Sequence, residues 1–312
     1  MSATPVRAAD AERARPWLVW AGIVWRFSRP HTVIGTTVSV VTLYAIAAAA
    51  DQPPGALDLG ATLVVAWCVN VAIVGLNQIE DVEIDRINKP QLPMAAGELG
   101  RGAATRIVGA TTIAAIAMAI SQGMIELVAV LAALGVGAAY SSPPLRLKRF
   151  PLIAAVSISA VRALAVNLGV YGHFVGSLEQ VPTVVWALTA FVAPFSVSIA
   201  LLKDVPDVAG DARHRVRTLS VRIGTGRVFV LALGILTAAY LAMAVPVALV
   251  IPHISVPVFS AGHLAALALL LAWARETDPD DPSNFTRFYL RVWQLFFFEY
   301  VLVALSFAVA PG

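Results

Sequence analysis

The sequence predicts an all-α polytopic membrane protein of nine transmembrane helices, arranged as two pseudo-repeated four-helix halves plus a ninth helix. Three observations predict it. Hydrophobic residues make up 59% of the 312-residue chain and charged residues 13%, against about 25% charged in a soluble domain. Apolar runs long enough to span a bilayer recur throughout. Basic residues gather on one side of those runs, and an acidic pattern repeats at a fixed interval.

In chain order, residues 1–24 form a polar arm ending in the Trp17, Trp20 and Trp25 stretch, which reads as an interfacial helix with aromatic anchors. The first sixteen residues are mixed in charge, so no cleavable signal peptide is expected. Residues 25–312 form one membrane domain. Its spans run over 31–50, 59–79, 105–122, 124–142, 153–173, 182–202, 228–250, 256–274 and 288–310. The cut between the third and fourth rests on Gln122 and Gly123, which favour a turn.

Under this scheme 21 of the 22 Lys and Arg fall on one side. The opposite loops hold only Asp51, Asp58, Glu126 and Glu179. Positive residues stay inside, so the N-terminus is expected in the cytoplasm and the C-terminus outside. The pI near 9.2 then reports topology and contact with anionic lipid. It gives no reason to expect a nucleic-acid partner. Cys68, the one cysteine, lies in an apolar span and reads as a small core residue. Arg outnumbers Lys 19 to 3, which together with the missing leader suggests a bacterial plasma membrane.

The acidic pattern follows span two as Asn77, Asp81 and Asp85 and follows span six as Asp204, Asp207 and Asp211. Asp81 and Asp85 stand 126 residues before Asp207 and Asp211, with Lys203 in the position of Asn77. Carboxylates at i and i+4 share a helical face. Like charges so close are costly unless cations neutralise them. Oxygen-only ligands that share a substrate phosphate suit Mg²⁺, so the two pairs are expected to hold Mg²⁺ and, through it, a diphosphate. A solvated acidic loop would seldom keep the spacing twice.

A third element, Tyr140 followed by Pro143, Pro144, Arg146, Lys148 and Arg149, is either a positive-inside anchor or a clamp on diphosphate oxygens. Arg162 is the basic residue inside a span. A buried cation of that kind needs a partner; Glu299 is the candidate, and structural and functional roles stand level. By helical spacing Asn167 and His173 fall off the Arg162 face. The Asp278–Pro282 stretch reads as a solvated turn, and Gly224-Thr225-Gly226 as a helix start.

These residues resemble the UbiA superfamily of intramembrane prenyltransferases. Asn77-Gln78 through Asp81 and Asp85 follows its first motif, and Asp204, Asp207 and Asp211 its second. The run from Asn77 to Glu98, with Arg29-Pro30-His31, Arg162…Asn167 and Arg217…Arg222, is similar to the homogentisate prenyltransferase branch, which includes tocopherol-pathway phytyltransferases. The match extends from about residue 25 to near the end. Ala163 stands where many of these enzymes have Gly.

The resemblance implies a central cavity, Mg²⁺ and a prenyl diphosphate donor. It implies that Asp81, Asp85, Asp207 and Asp211, assisted by Asp204, hold the metal, and that Lys148 stabilises the leaving diphosphate. Asn77, Tyr140, Arg146, Arg149, Arg162, Asn167 and Lys203 would bind substrate. The expected reaction is prenyl transfer to an aromatic acceptor, homogentisate with loss of CO₂. The other readings are another aromatic acceptor, a terpene cyclase of the same superfamily, and a carrier of lipid diphosphates. Acids at helix ends rather than at the bilayer midplane disfavour the carrier.

Overall fold

In lipid a backbone has no hydrogen-bond partner but itself, so long apolar runs become helices. The computed structural model describes residues 16–49, 53–213 and 218–310. Most of the N-terminal arm, Asp51 and Arg217 lie outside the described residues. A short helix α1 (Pro16–Phe27) precedes α2 (Pro30–Ala47), α3 (Ala56–Asn88), α4 (Arg101–Gln122) and α5 (Met124–Ser141). Then follow α6 (Pro151–Val175) and α7 (Thr183–Lys203), and the short α8 (Val208–Arg213) and α9 (Leu219–Ile223). Last come α10 (Thr225–Val247), α11 (Val256–Arg275) and α12 (Pro282–Ala308). Nine of the described helices, α2 to α7 and α10 to α12, are long and apolar enough to cross a membrane. The chain is an integral, multi-pass membrane protein.

Neighbours in sequence pack as neighbours in space: α3 on α2, α4 and α5, α5 on α6, α6 on α7, α7 on α10, and α11 on α12. The ninth span, α12, returns to α2 and closes the ring. The largest apolar core lies among α2, α6, α7 and α10 to α12, where Phe191, Phe195, Tyr240 and Phe296 interlock. α1 lays Ile23 and Phe27 on α3 and α4 while Trp17, Trp20 and Trp25 stay exposed, as an interfacial helix requires. Cys68 is half-buried and free.

Several local features follow directly from sequence. Gly123, at φ 116, separates α4 from α5, a backbone angle that suits glycine. Gly224 caps α10. Asp281 caps α12 by accepting from the Ser283 and Asn284 N–H groups, so the acidic turn there is a helix start.

Two departures matter for function. The second span does not end near residue 79: α3 continues to Asn88 as one 33-residue helix. At 1.5 Å per residue this is about 50 Å, well beyond a ~30 Å hydrocarbon core. Its last turns therefore carry Asp81 and Asp85 out of the apolar layer. The second acidic copy is not a matching extension. α7 ends at Lys203, and Asp204 to Asp207 form a turn before α8. Pro206 stands where the first copy has Glu80, and proline lacks the N–H that would continue the helix.

Candidate active site

The extended end of α3 sets Asn77, Asp81 and Asp85 on one stripe, and Asn77 Nδ2 donates to Asp81 Oδ2 at 2.8 Å. Opposite, the Asp211 N–H donates to the Asp207 carbonyl at 3.0 Å, so these two acids sit one turn apart despite the break before them. Asp81, Asp85, Asp204, Asp207 and Asp211 line one small chamber of ≈ 60 Å³. Asn88 Oδ1 accepts from the Gly210 N–H at 2.8 Å and ties the two copies together.

Cations fill the gaps between the acids. Lys148 contacts Asp81, with Arg146 Nη2 at 3.4 Å from the same carboxylate. Lys203 Nζ donates to Tyr140 Oη at 2.9 Å and lies 3.6 Å from Asp204. Lys89 pairs with Asp207. Arg29 reaches Asn77 Oδ1 at 3.4 Å and Asp85 at 3.9 Å. Burial pushes the Lys148 ammonium down, against the pull of Asp81.

Arg29 and Lys89 were not singled out as site residues by sequence reasoning. Arg29 has φ 53 and ψ 84, a left-handed conformation that is uncommon outside glycine and recurs where function holds a backbone in place. Pro30 disfavours the right-handed helical region for the residue before it and so marks the break between α1 and α2, but it favours extended backbone and did not signal the left-handed turn. Arg149 is corrected in the other direction. It is exposed and stacks on its neighbour Phe150, 4.8 Å from the ring centroid, outside the chamber.

The residues fit a hard divalent cation that shares a phosphate. Asp85 Oδ2 is buried without a hydrogen-bond partner. Burial, then the Asp207 and Asp204 carboxylates, push the Asp211 carboxyl up to about 7, the direction expected of a buried acid among like charges. Five carboxylates face five cations, four lining the chamber and Arg146 against Asp81, so the negative charge of an arriving diphosphate needs further cations. Among the described residues no three acidic, His or Cys side chains converge as a complete metal cage. Mg²⁺ takes one or two carboxylates and completes its shell with water and substrate phosphate.

The chamber opens into a cavity of ≈ 270 Å³ inside the helix ring. Arg29, Asn77, Tyr140 and Lys203 line both, so they form a collar between an ionic head site and a largely apolar interior. One wall of the cavity holds Arg162, His31, Tyr289, Trp293 and Tyr300. The Arg162 guanidinium lies 4.6 Å from the Trp293 ring centroid and 5.9 Å from that of Phe296, and its Nη1 has no hydrogen-bond partner. The expected pairing with Glu299 is not made: Glu299 bonds His263 Nε2 at 3.2 Å. Aromatic faces hold the cation instead.

Asn167 stands one layer behind the cavity. It accepts from Tyr300 Oη at 2.7 Å, and Tyr300 reaches the lining. Residues 161–170 form a π-helix, whose i→i+5 bonding resets the spacing on which Asn167 was separated from Arg162; π segments recur at functional sites. His173 packs beside Phe174, away from the lining residues.

An ionic chamber at the end of a membrane-buried apolar cavity suits an amphiphile with a charged head. Residues 38–300 match the UbiA prenyltransferase family, and the chain belongs to that family; it is a prenyltransferase. It is 43% identical over 293 residues to homogentisate phytyltransferase of Synechocystis sp., covering 90% of this chain and 94% of the relative. It is 36% identical to homogentisate geranylgeranyltransferase of Triticum aestivum over 89% of this chain and 71% of the relative. The fold matches that of a UbiA homolog from Archaeoglobus fulgidus bound to GPP and Mg²⁺, with TM-score 0.65 and 17% identity over 90% of this chain and 99% of the other.

Proposed function

We propose that the protein transfers a prenyl group from a prenyl diphosphate to homogentisate, with loss of CO₂, as a step towards tocopherol or a related prenylquinone. The observation that carries this reading is the collar, which joins an acid-and-lysine chamber to an apolar cavity holding an arginine with no carboxylate partner. The names of the similar enzymes support the acceptor.

The donor's diphosphate lies in the chamber and its tail in the cavity. Asp81 and Asp85, and Asp207 and Asp211 with Asp204, would hold Mg²⁺. The bound metal supplies charge neutralisation for the departing diphosphate. Lys148, Lys203, Arg146, Arg29 and Lys89 place further positive charge where negative charge develops. Asn77 and Tyr140 orient the collar. The carbon–oxygen bond of the donor breaks, and the allylic carbon meets the acceptor ring inside the cavity. Excluding water there protects the cation from hydrolysis. Arg162 binds the acceptor carboxylate, braced by Trp293 and Phe296. The ring proton lost on alkylation balances the proton gained when CO₂ leaves the side chain.

The end of the helix ring that carries the basic residues faces the cytoplasm, with the C-terminus on the other side.

The test is a membrane assay that crosses prenyl diphosphates with homogentisate, 4-hydroxybenzoate and no acceptor, read by mass spectrometry. Decarboxylated prenyl quinol from homogentisate alone is the expected result. Diphosphate release with no acceptor and a cyclised hydrocarbon would identify a cyclase. Product only from 4-hydroxybenzoate would move the acceptor.

A further inference from the structure

Glu126 takes no part in the chemistry above, yet it lines the same cavity. Expected in an outer loop, it lies instead in the first turn of α5, at the far end from Tyr140 of the collar. Between them Ala129, Val130, Ala133, Val136 and Gly137 also line the cavity. Their spacing is a single helical stripe, so α5 forms a straight apolar wall from head site to floor. The 14 residues from Glu126 to Tyr140 rise about 21 Å at 1.5 Å each.

Glu126 is only 3% exposed, and its Oε2 has no hydrogen-bond partner. An ionisable side chain inside a membrane span is functional by default. A hydrocarbon tail pressed past it would strip the carboxyl of any remaining solvent without giving a hydrogen bond in return. Glu126 therefore sets one buried polar group at the far end of an apolar wall, beside Val65 and Val130.

The length of the wall can be compared with a tail. The three backbone bonds of one residue span at most about 3.3–3.6 Å, so the four carbon–carbon bonds of an isoprene unit span roughly 4.5–5 Å. Four units reach from collar to floor.

We propose that Glu126 sets the upper limit on donor length, so that the cavity accepts a tail of four isoprene units and rejects longer ones. This rests on the prenyl-transfer reading and extends it to the donor. Glu126 is a specificity residue: it acts on the tail end and leaves the reacting carbon alone.

The experiment uses the full-length protein in detergent or vesicles, as wild type, Glu126→Leu and Glu126→Gln. Each is given an equimolar mixture of farnesyl, geranylgeranyl and hexaprenyl diphosphates with homogentisate, and products are counted by mass. Wild type should favour geranylgeranyl over hexaprenyl. Glu126→Leu should raise the hexaprenyl-to-geranylgeranyl ratio by about tenfold or more, since it removes an unsatisfied polar group from the path of the tail. Glu126→Gln keeps a polar floor and should leave the ratio within about twofold.

An unchanged ratio in Glu126→Leu, or an equal shift in Glu126→Gln, overturns the proposal. If the Leu variant does not accumulate, Glu126→Met carries the same expectation. Should wild type yield no product from homogentisate, the acceptor reading falls. The length limit is then read from thermal stabilisation by the three prenyl thiodiphosphates. Stabilisation of wild type by the hexaprenyl compound equal to that by the geranylgeranyl compound would overturn it there too.

Discussion

Asn88 Oδ1 and the Gly210 N–H meet at 2.8 Å, so the last residue of α3 is fastened to the short helix that carries Asp211. The contact leaves no room at Gly210: a Cβ there would lie 2.3 Å from Asn88 Oδ1. The relative position of the two acid pairs depends on this fit.

Gly210→Ala should therefore break the bond and separate the copies. The expected cost is about 1 kcal/mol of stability and a fall in kcat/KM of roughly 10- to 100-fold, as for residues that orient a metal site. Thermal unfolding in detergent and turnover of prenyl diphosphate measure the two. Gly109→Ala is the control, because nothing lies within 4 Å of a Cβ there, and it should change neither.

Asp81 faces Lys148 and Arg146, and Asp207 faces Lys89. Asp81→Asn and Asp207→Asn preserve shape and remove one charge each. Turnover should fall at least about 100-fold at unchanged folded yield. Chelation should stop wild-type turnover, and added Mg²⁺ should restore it. Glu83→Gln alters a pair with Arg86 whose side chains are 54% and 64% exposed, and it should behave as wild type. Wild-type activity in both Asp variants would remove the metal assignment.

Arg162 rests on Trp293 at 4.6 Å, and a planar guanidinium can stack and still present a two-pronged face to a carboxylate. Arg162→Lys keeps the charge and loses that geometry. Its KM for homogentisate should rise by about 10- to 100-fold, and that of Arg162→Leu by more. The apparent affinity for the prenyl diphosphate should stay the same, which separates an acceptor site from a general loss of fold.

How far these features were legible in the sequence differs from residue to residue. Asp81 and Asp85 were readable because they lie on a continuous helix, where i and i+4 spacing fixes a shared face. Asp207 and Asp211 were readable as a repeat, but Pro206 changes the local structure that carries them. Lys89 and Arg29 reach the chamber only through folding: one from the end of α3 across to Asp207, the other through a left-handed turn that places it beside Asn77. The π-helix at 161–170 undercuts the spacing argument that set Asn167 apart from Arg162, since such arguments assume 3.6 residues per turn. The pairing of Arg162 with Glu299 failed for a different reason. Charge alone nominates partners, whereas aromatic side chains and a histidine on the neighbouring α11 decide which are taken.

Glu299 and His263 form a buried pair, both 0% exposed, with His263 Nδ1 also 2.7 Å from the Phe259 carbonyl. The pair joins α12 to α11 among Phe191, Tyr240 and Phe259. Neither member lines the cavity. Removing His263 strands Glu299 without a hydrogen bond, and removing Glu299 leaves His263 Nε2 unpaired while Nδ1 keeps the Phe259 carbonyl; breaking a buried pair costs about 3–5 kcal/mol, whereas replacing both members with apolar groups is often neutral. Glu299→Leu and His263→Leu should each lower the unfolding midpoint sharply, and the double variant should recover most of the loss. The KM for either substrate, measured on the folded fraction, should be unaltered in all three. A double variant no more stable than the singles would mean that the pair is held by contacts beyond its own hydrogen bond.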